Sequence, residues 1–338
     1  MDSFFLYSLP FSENIEGGEG NVIEGLHNGF YLSSFSGITP ASVTIVPETR
    51  ITPDDLHRLE EKYCNSSQGK EIFPFPTHTV SKYEHIERVK RIQSQILKKE
   101  KVVCCKTVCG EGKINLKETF LNLKKSFPEA MKFCFHTPQS GTWIGATPET
   151  LLKKENRVLH TMALAGTRSA EESGDWDNKN IEEQRMVADY IYDIISSKHY
   201  SFSWNKNPIS RKTGLLQHLC TEFEISLKEN FSKDNLLSLL SDLSPTPALC
   251  GYPKKKAMEI IKATENFKRG YYGGFFGPYN ADKDFAFFVL LRALKIKGNK
   301  WCMFAAGGIV EDSRPEEEWD ETEKKARSIL TKLHYKKE

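Results

Sequence analysis

The sequence predicts an α/β chain of the α+β kind: large β-sheets with peripheral helices in one continuous domain. Two observations predict it. Apolar strand-like segments punctuated by Gly and Pro recur from GFYLSSF (29–35) to WCMFAAGGIV (301–310), with amphipathic helical segments among them. No repeat, low-complexity tract or long polar linker divides the 338 residues.

The elements follow in order. Residues 1–80 read as short strands and turns, including GFYLSSF and SVTIVPE. The segment from Ser81 is an amphipathic helix: Ser81 and Glu84 form a capping box, and Ile86, Val89, Ile92, Ile96 and Leu97 make the apolar stripe. KVVCCKTVC, from Lys101, is a strand. A helix near 116–126 and the strands MKFCFHT and TWIGATP come next, then RVLHTMALAGTRS, a strand ending in a glycine turn. An acidic helix starts at Lys179, a strand-rich stretch runs to about 229, and a helix covers 233–242. LSPTPALCGYP is a loop leading to a helix at 253–264. YYGGFFGPYN reads as a turn and DFAFFVLLRALKIKG as one long strand. WCMFAAGGIV is the last strand, and a Gly-Gly turn joins it to the final helix.

Composition narrows the function classes. Hydrophobic residues make up 39% and charged residues 27%, as in ordinary globular proteins. A net charge of +2 with interleaved signs predicts no nucleic-acid footprint. The first residues lack a basic region and a long apolar run, so no signal peptide is expected. No segment has 18 uninterrupted apolar residues, so no membrane span is expected. None of the eight cysteines forms C-x-x-C, and adjacent Cys104 and Cys105 should point to opposite faces of a strand. Reduced, buried thiols in a cytoplasmic protein are the expectation, with no zinc site.

The most informative segment is the last Gly-Gly turn and the helix after it. Glu318, Glu321 and Lys325 fall on one helical stripe after the Gly-Gly segment. Two acids on one face suit a divalent cation, and the lysine suits an anionic substrate, although the same spacing also describes a solvated, ion-paired face. On the helix from Lys179, Glu183 continues the apolar stripe of Val187, Ile191 and Ile194. A carboxylate there is rarely left without a partner. One acid on this helix and two on the last make a Mg²⁺ site plausible, since Mg²⁺ uses one or two carboxylates plus substrate and water. Arg292, in FAFFVLLRAL, buries a guanidinium and needs an anion, internal or from a ligand. Lys101 reads as a solvent-facing strand start or a catalytic amine. Glu149 reads as a turn carboxylate or an acid. Tyr272 reads as a core aromatic or a residue beside a ligand.

The segments KVVCCK, GATPETLL, ALAGTRS, KNIEEQRMV, LSPTPALCGYP, RGYYGGFFGP, VLLRAL and AAGGIVEDSRPEEEWDETEKKA together resemble the chorismate-utilising enzymes. That family includes isochorismate, salicylate, anthranilate and aminodeoxychorismate synthases. The resemblance covers about residues 80–335. It implies a single chorismate-binding domain over 1–338, with a divergent, shortened part at 1–80 and a catalytic core at 81–335. It also implies two large sheets packed face to face with outer helices, Mg²⁺ as cofactor and chorismate as substrate. By the same resemblance Glu183 and Glu321 are direct metal ligands and Glu318 a metal-water partner. Tyr272, Arg292, the backbone at Ala306 and Gly308, and Lys325 hold the substrate carboxylates, while Gly166 and Thr167 flank the ring. Lys101 matches the water-activating lysine of isochorismate and salicylate synthases, where ammonia-using members carry a neutral residue. Ala165 stands where some aminodeoxychorismate synthases have a nucleophilic lysine, so covalent catalysis is not expected. Asn180, Ala306 and Lys106 replace a more usual acid, glycine and arginine.

The expectation is therefore an isochorismate synthase, with water adding at C2 as the C4 hydroxyl leaves. Lys101 is the base, kept neutral by burial near Mg²⁺ and Arg292, and Glu149 is the acid. The product would feed menaquinone or siderophore synthesis. The alternatives are a salicylate synthase, a chorismate-aminating subunit or a non-catalytic chorismate binder. The chain is expected to act as a monomer or a weak dimer, without nucleic acid or membrane.

Overall fold

The computed structural model describes residues 2–37, 42–64, 71–227 and 231–336. Its strands and helices, in chain order, are β1 (Ser3–Ser8), β2 (Glu16–Glu24), β3 (Gly29–Ser33), β4 (Val43–Arg50), α1 (Leu56–Leu59), α2 (Lys82–Gln93), β5 (Lys101–Glu111), α3 (Leu116–Ser126), β6 (Met131–Thr137), β7 (Gly141–Thr147), β8 (Thr150–Glu155), β9 (Val158–Ser169), α4 (Asn178–Ser197), β10 (Ser201–Trp204), β11 (Ile209–Thr213), β12 (Leu216–Ser226), α5 (Lys233–Leu243), β13 (Gly251–Tyr252), α6 (Lys254–Thr264), β14 (Phe275–Tyr279), β15 (Phe285–Val289), β16 (Ala293–Lys297), β17 (Lys300–Ile309) and α7 (Pro315–Leu330).

Among the described residues every strand pairing is antiparallel, which makes the fold α+β. The pairings run as one ribbon. It starts β13–β5–β17–β16–β7–β6–β1. It continues β2–β4–β3–β14–β15–β8–β9–β12, where β12 carries both β10 and β11. Four strands separate β6 from β14 along this ribbon, yet the rings of Phe133 and Phe276 lie 4.5 Å apart. The ribbon therefore folds over itself, and its two halves face each other across an aromatic core that includes Phe30 and Phe135. β1–β4, from the N-terminal part, form the bend.

The outer surfaces are covered by helices. Val89 and Ile92 of α2 and Ile260 and Ile261 of α6 pack on Val102 and Cys104 of β5, whereas Val103 and Cys105 belong to the central core. Cys104 and Cys105 thus do face opposite ways. α3 and α7 cover β6, β7, β16 and β17 through Phe120, Leu123, Ala326 and Ile329. Ser81 caps α2 by accepting from the Glu84 N–H, and Glu84 returns the bond to the Ser81 N–H, as the spacing predicts. α2 stops at Gln93, so Ile96 is buried beyond the helix while Leu97 is 67% exposed.

Four local readings change. YYGGFFGPYN is only partly a turn, because Phe275–Tyr279 form β14. DFAFFVLLRALKIKG is two strands, β15 and β16, which pair with different partners on either side of Leu290–Arg292. Arg292 has a φ of +48°, a kink that a run of apolar letters does not reveal. The glycine at ALAGTRS does not end its strand. Gly166 (φ +70°) sits inside β9 where the β12 register slips between Gln217 and Leu219. Gly307 and Gly308 lie within β17 and make no turn. The last part of the strand-rich stretch, 228–229, lies outside the described residues.

Candidate active site

One cavity lies where β9, β12, β17, α4, α7 and the loops before β8 and β16 converge, and nine of the twelve residues expected at the site line it. The other three, Lys101, Glu318 and Glu321, stand behind its wall. Gly307 and Gly308 explain that wall. A Cβ on Gly308 would lie 2.3 Å from Glu183 Oε1 and 2.5 Å from Lys101 Cε. A Cβ on Gly307 would lie 3.3 Å from Glu318 Oε2. The glycines are there because carboxylates and a lysine stem occupy the space beside the strand.

Lys101 opens β5, but β13 and β17 flank it and it is completely buried, so the solvent-facing reading fails. Its Nζ lies 2.8 Å from Glu183 Oε1. The lysine expected near Mg²⁺ and Arg292 is therefore paired with a carboxylate. The Lys101 and Lys179 ammonium groups oppose desolvation and hold the Glu183 carboxyl below its ordinary range.

Glu149 sits between β7 and β8, 1% exposed. Burial pushes its carboxyl up to about 7, against the Thr246 hydrogen bond and the charges of Lys101 and Lys325. Thr246 Oγ1 donates to Glu149 Oε1 at 3.0 Å. Sequence reasoning did not single out Thr246, because a hydroxyl in a proline-rich loop has no distinguishing pattern.

Arg292 has no acidic side chain in ion-pair contact among the described residues. Its Nη2 meets His218 Nε2, and its Nη1 is buried without a hydrogen-bond partner. Of the two anions considered from sequence, the ligand is the one left. His218 was also missed. Burial and the Arg292 and Lys325 charges push its imidazole well below the ordinary value, so it is neutral. Nδ1 lies 2.9 Å from the Gly166 carbonyl oxygen, which fixes the proton there and leaves Nε2 to accept from Arg292. Simple alternation along β12 would have put His218 on the exposed face of Glu222 and Glu224, and only the register slip beside it turns it inward.

Gly166 and Thr167 are held by α4, since the Thr167 N–H donates to Asn180 Oδ1 at 2.9 Å. Asn180 in turn is tied to Asp177 at the start of the helix. The amide at 180 thus supplies a donor and an acceptor where an acid would only accept. Tyr272 stacks on Phe304 at 5.1 Å, fully buried. Lys325 Nζ lies 2.7 Å from Glu321 Oε1 and donates to the Ala306 carbonyl at 2.9 Å. Lys106 is on the far side of β5, paired with Glu323 and 3.3 Å from the Trp319 ring centroid, so its departure from arginine is structural.

The acids fit an oxygen-seeking dication in part. Glu318 accepts from Ser313 and Lys179 through Oε1, while Oε2 is buried with no partner among the described residues. Burial and the Glu321 charge push Glu318 up to about 7, against the Lys179 ammonium and the Ser313 hydrogen bond. Among the described residues no three His, Cys, Asp or Glu groups are arranged as a finished metal cage. Carboxylates are the donor type that Mg²⁺ takes together with substrate and water.

A model of the family described as chorismate binding enzyme matches residues 45–334. Isochorismate synthase MenF of Bacillus subtilis (strain 168) is 30% identical over 269 residues, covering 75% of this chain and 56% of the relative. Isochorismate synthase EntC of Escherichia coli (strain K12) is 32% identical over 212 residues, covering 59% and 54%. The chain spans about half the length of the curated relatives it matches. The solved structure of the menaquinone-specific isochorismate synthase MenF from Escherichia coli superposes with a TM-score of 0.77 at 20% identity, over 98% of this chain and 89% of that one. That likeness is one of fold.

Proposed function

The chain belongs to the chorismate-binding enzyme family, and from that premise we propose that it is an isochorismate synthase, interconverting chorismate and isochorismate. The observation that carries this reading is a cavity lined by the buried carboxyl of Glu149 and by an arginine without an anion, with the buried lysine Lys101 directly behind its wall. The relatives named above support the same activity.

In this reading Arg292, Tyr272, Lys325 and the backbone at Ala306 and Gly308 hold the two substrate carboxylates. Neutral His218 keeps the Arg292 fork pointed into the cavity. Gly166 and Thr167 flank the ring. Lys101 takes a proton from water adding at C2, and Glu183 fixes the position of its Nζ. Glu149, protonated in a low-dielectric pocket, gives its proton to the departing C4 hydroxyl. The reverse reaction exchanges these two roles. Glu183 and Glu321 would hold Mg²⁺, with Glu318 through water, and the metal would neutralise a substrate carboxylate. We place the enzyme in the cytoplasm, acting as a monomer or weak dimer. No helix among the described residues is long and apolar enough to cross a membrane.

The test is to incubate the purified chain with chorismate and Mg²⁺ and separate the products. Isochorismate should rise to an equilibrium mixture, and added isochorismate should revert. Salicylate and pyruvate appearing as fast as chorismate disappears would replace the isomerase reading with a lyase. Faster formation of an aminated product with ammonium would replace it with an aminating synthase.

A further inference from the structure

Seven cysteines have described side chains, and two of them stand apart. Cys109 of β5 and Cys302 of β17 are direct register partners, and their sulfurs lie 2.8 Å apart. Direct partners on antiparallel strands have Cα atoms about 4.5 or 5.5 Å apart. Both spacings lie inside the range of about 4.4–6.8 Å that a disulfide spans, so no backbone rearrangement is needed. The two thiols also differ in access. Cys302 is completely buried, whereas Cys109 is only partly covered.

We propose that Cys109 and Cys302 are a reactive dithiol site that low-molecular-weight disulfides oxidise to an intramolecular cross-strand disulfide. Cys109 is the attacking thiol because a small disulfide can reach it. The contact with the Cys302 sulfur holds Cys109 below the ordinary thiol range, and the same contact, together with burial, pushes Cys302 up. The carbonyls of Pro76 and His78, 3.4 and 3.5 Å from the Cys109 sulfur, act the other way by accepting from the thiol. In the first step the Cys109 thiolate attacks one sulfur of the small disulfide, forming a mixed disulfide and releasing one small thiolate. In the second, Cys302 loses its proton and attacks the Cys109 sulfur, releasing the other. The protein loses two protons and two electrons, and the small disulfide takes them up to become two thiols.

The pair lies six rungs along the ladder from Val103 and Gly308, about 20 Å at the usual strand rise. The staple therefore closes far from Lys101 and Glu183 and does not depend on the isochorismate synthase reading.

The test treats the folded protein with oxidised glutathione, blocks remaining thiols with iodoacetamide after denaturation, and measures intact mass and peptide map. Two of the eight cysteines should be protected from alkylation, with a peptide joining Cys109 to Cys302 that dithiothreitol separates. Cys302→Ser should trap one glutathione on Cys109, and Cys109→Ser should give no crosslink. Circular dichroism melts check that both variants fold. Eight alkylated cysteines in the wild type, a stable glutathione adduct on its Cys109, or a crosslink between other cysteines would overturn the proposal.

Discussion

Gly308→Ala tests the site's construction at a single atom. The added Cβ would fall 2.3 Å from Glu183 Oε1 and 2.5 Å from Lys101 Cε. Ordinary contact begins near 3.4 Å, so each group must retract by about 1 Å. Neither has room, because both side chains are buried beside each other. Misplacing a catalytic group by about 1 Å costs on the order of 10²-fold in rate, and overpacking a tight site costs roughly 1–3 kcal/mol of stability. The expected variant is folded, melts at a lower temperature, and turns chorismate over about 10²-fold more slowly. Gly307→Ala is the internal comparison. Its nearest neighbours are at 3.3 and 3.4 Å, so a shift of a few tenths of an ångström suffices and the loss should be much smaller. The assay is steady-state product formation for both variants, with thermal melts alongside. Equal losses in the two variants, or near wild-type turnover in Gly308→Ala, would refute the claim that this strand positions Lys101 against Glu183.

Glu149 must be protonated to act as an acid, and its carboxyl is pushed up to about 7, so kcat for isochorismate formation should fall as pH rises through about 7. Glu149→Gln should lose about 10²–10⁴-fold in rate and abolish that limb, and a limb that persists in the variant would assign it to another group. Folding stability should carry the same signature. A carboxyl raised from 4.5 to about 7 contributes stability that is complete below 4.5 and is lost as pH climbs through 7, so Glu149→Gln should flatten that part of a melting-temperature profile. Arg292→Lys loses the planar fork and should raise KM by roughly 10–100-fold, the worth of one charged hydrogen bond, and an unchanged KM would mean that no substrate carboxylate meets Arg292. Glu183→Gln and Glu321→Gln should each weaken Mg²⁺ binding in calorimetric titration and remove most activity, whereas full turnover in excess EDTA would end the metal reading.

Local chemistry made the helices legible. α3 spans Leu116–Ser126, where the pattern put it, and the Ser81–Glu84 box starts α2, because caps and apolar stripes are written in consecutive residues. Glu183 was readable as an acid in need of a partner, since a carboxylate on an apolar stripe contradicts its surroundings, and it is indeed buried and paired with Lys101. Arg292 was readable for the same reason. The break at Arg292, the irregularity at Gly166 and the strand conformation of Gly307 and Gly308 were not. Each answers to what lies across space: the separate partners of β15 and β16, the slipped register of β12, and the carboxylates standing beside β17. His218 and Thr246 escaped notice because an imidazole and a hydroxyl gain their roles only from Arg292 and Glu149, residues 74 and 97 positions away. The sequence by itself determined where most of the helices run and that Glu183 and Arg292 would be buried among apolar neighbours. Only the tertiary structure decided which charges meet. Ion pairs such as Lys101–Glu183 join residues far apart in the chain, and the folded ribbon, not the local pattern, brings them within 2.8 Å.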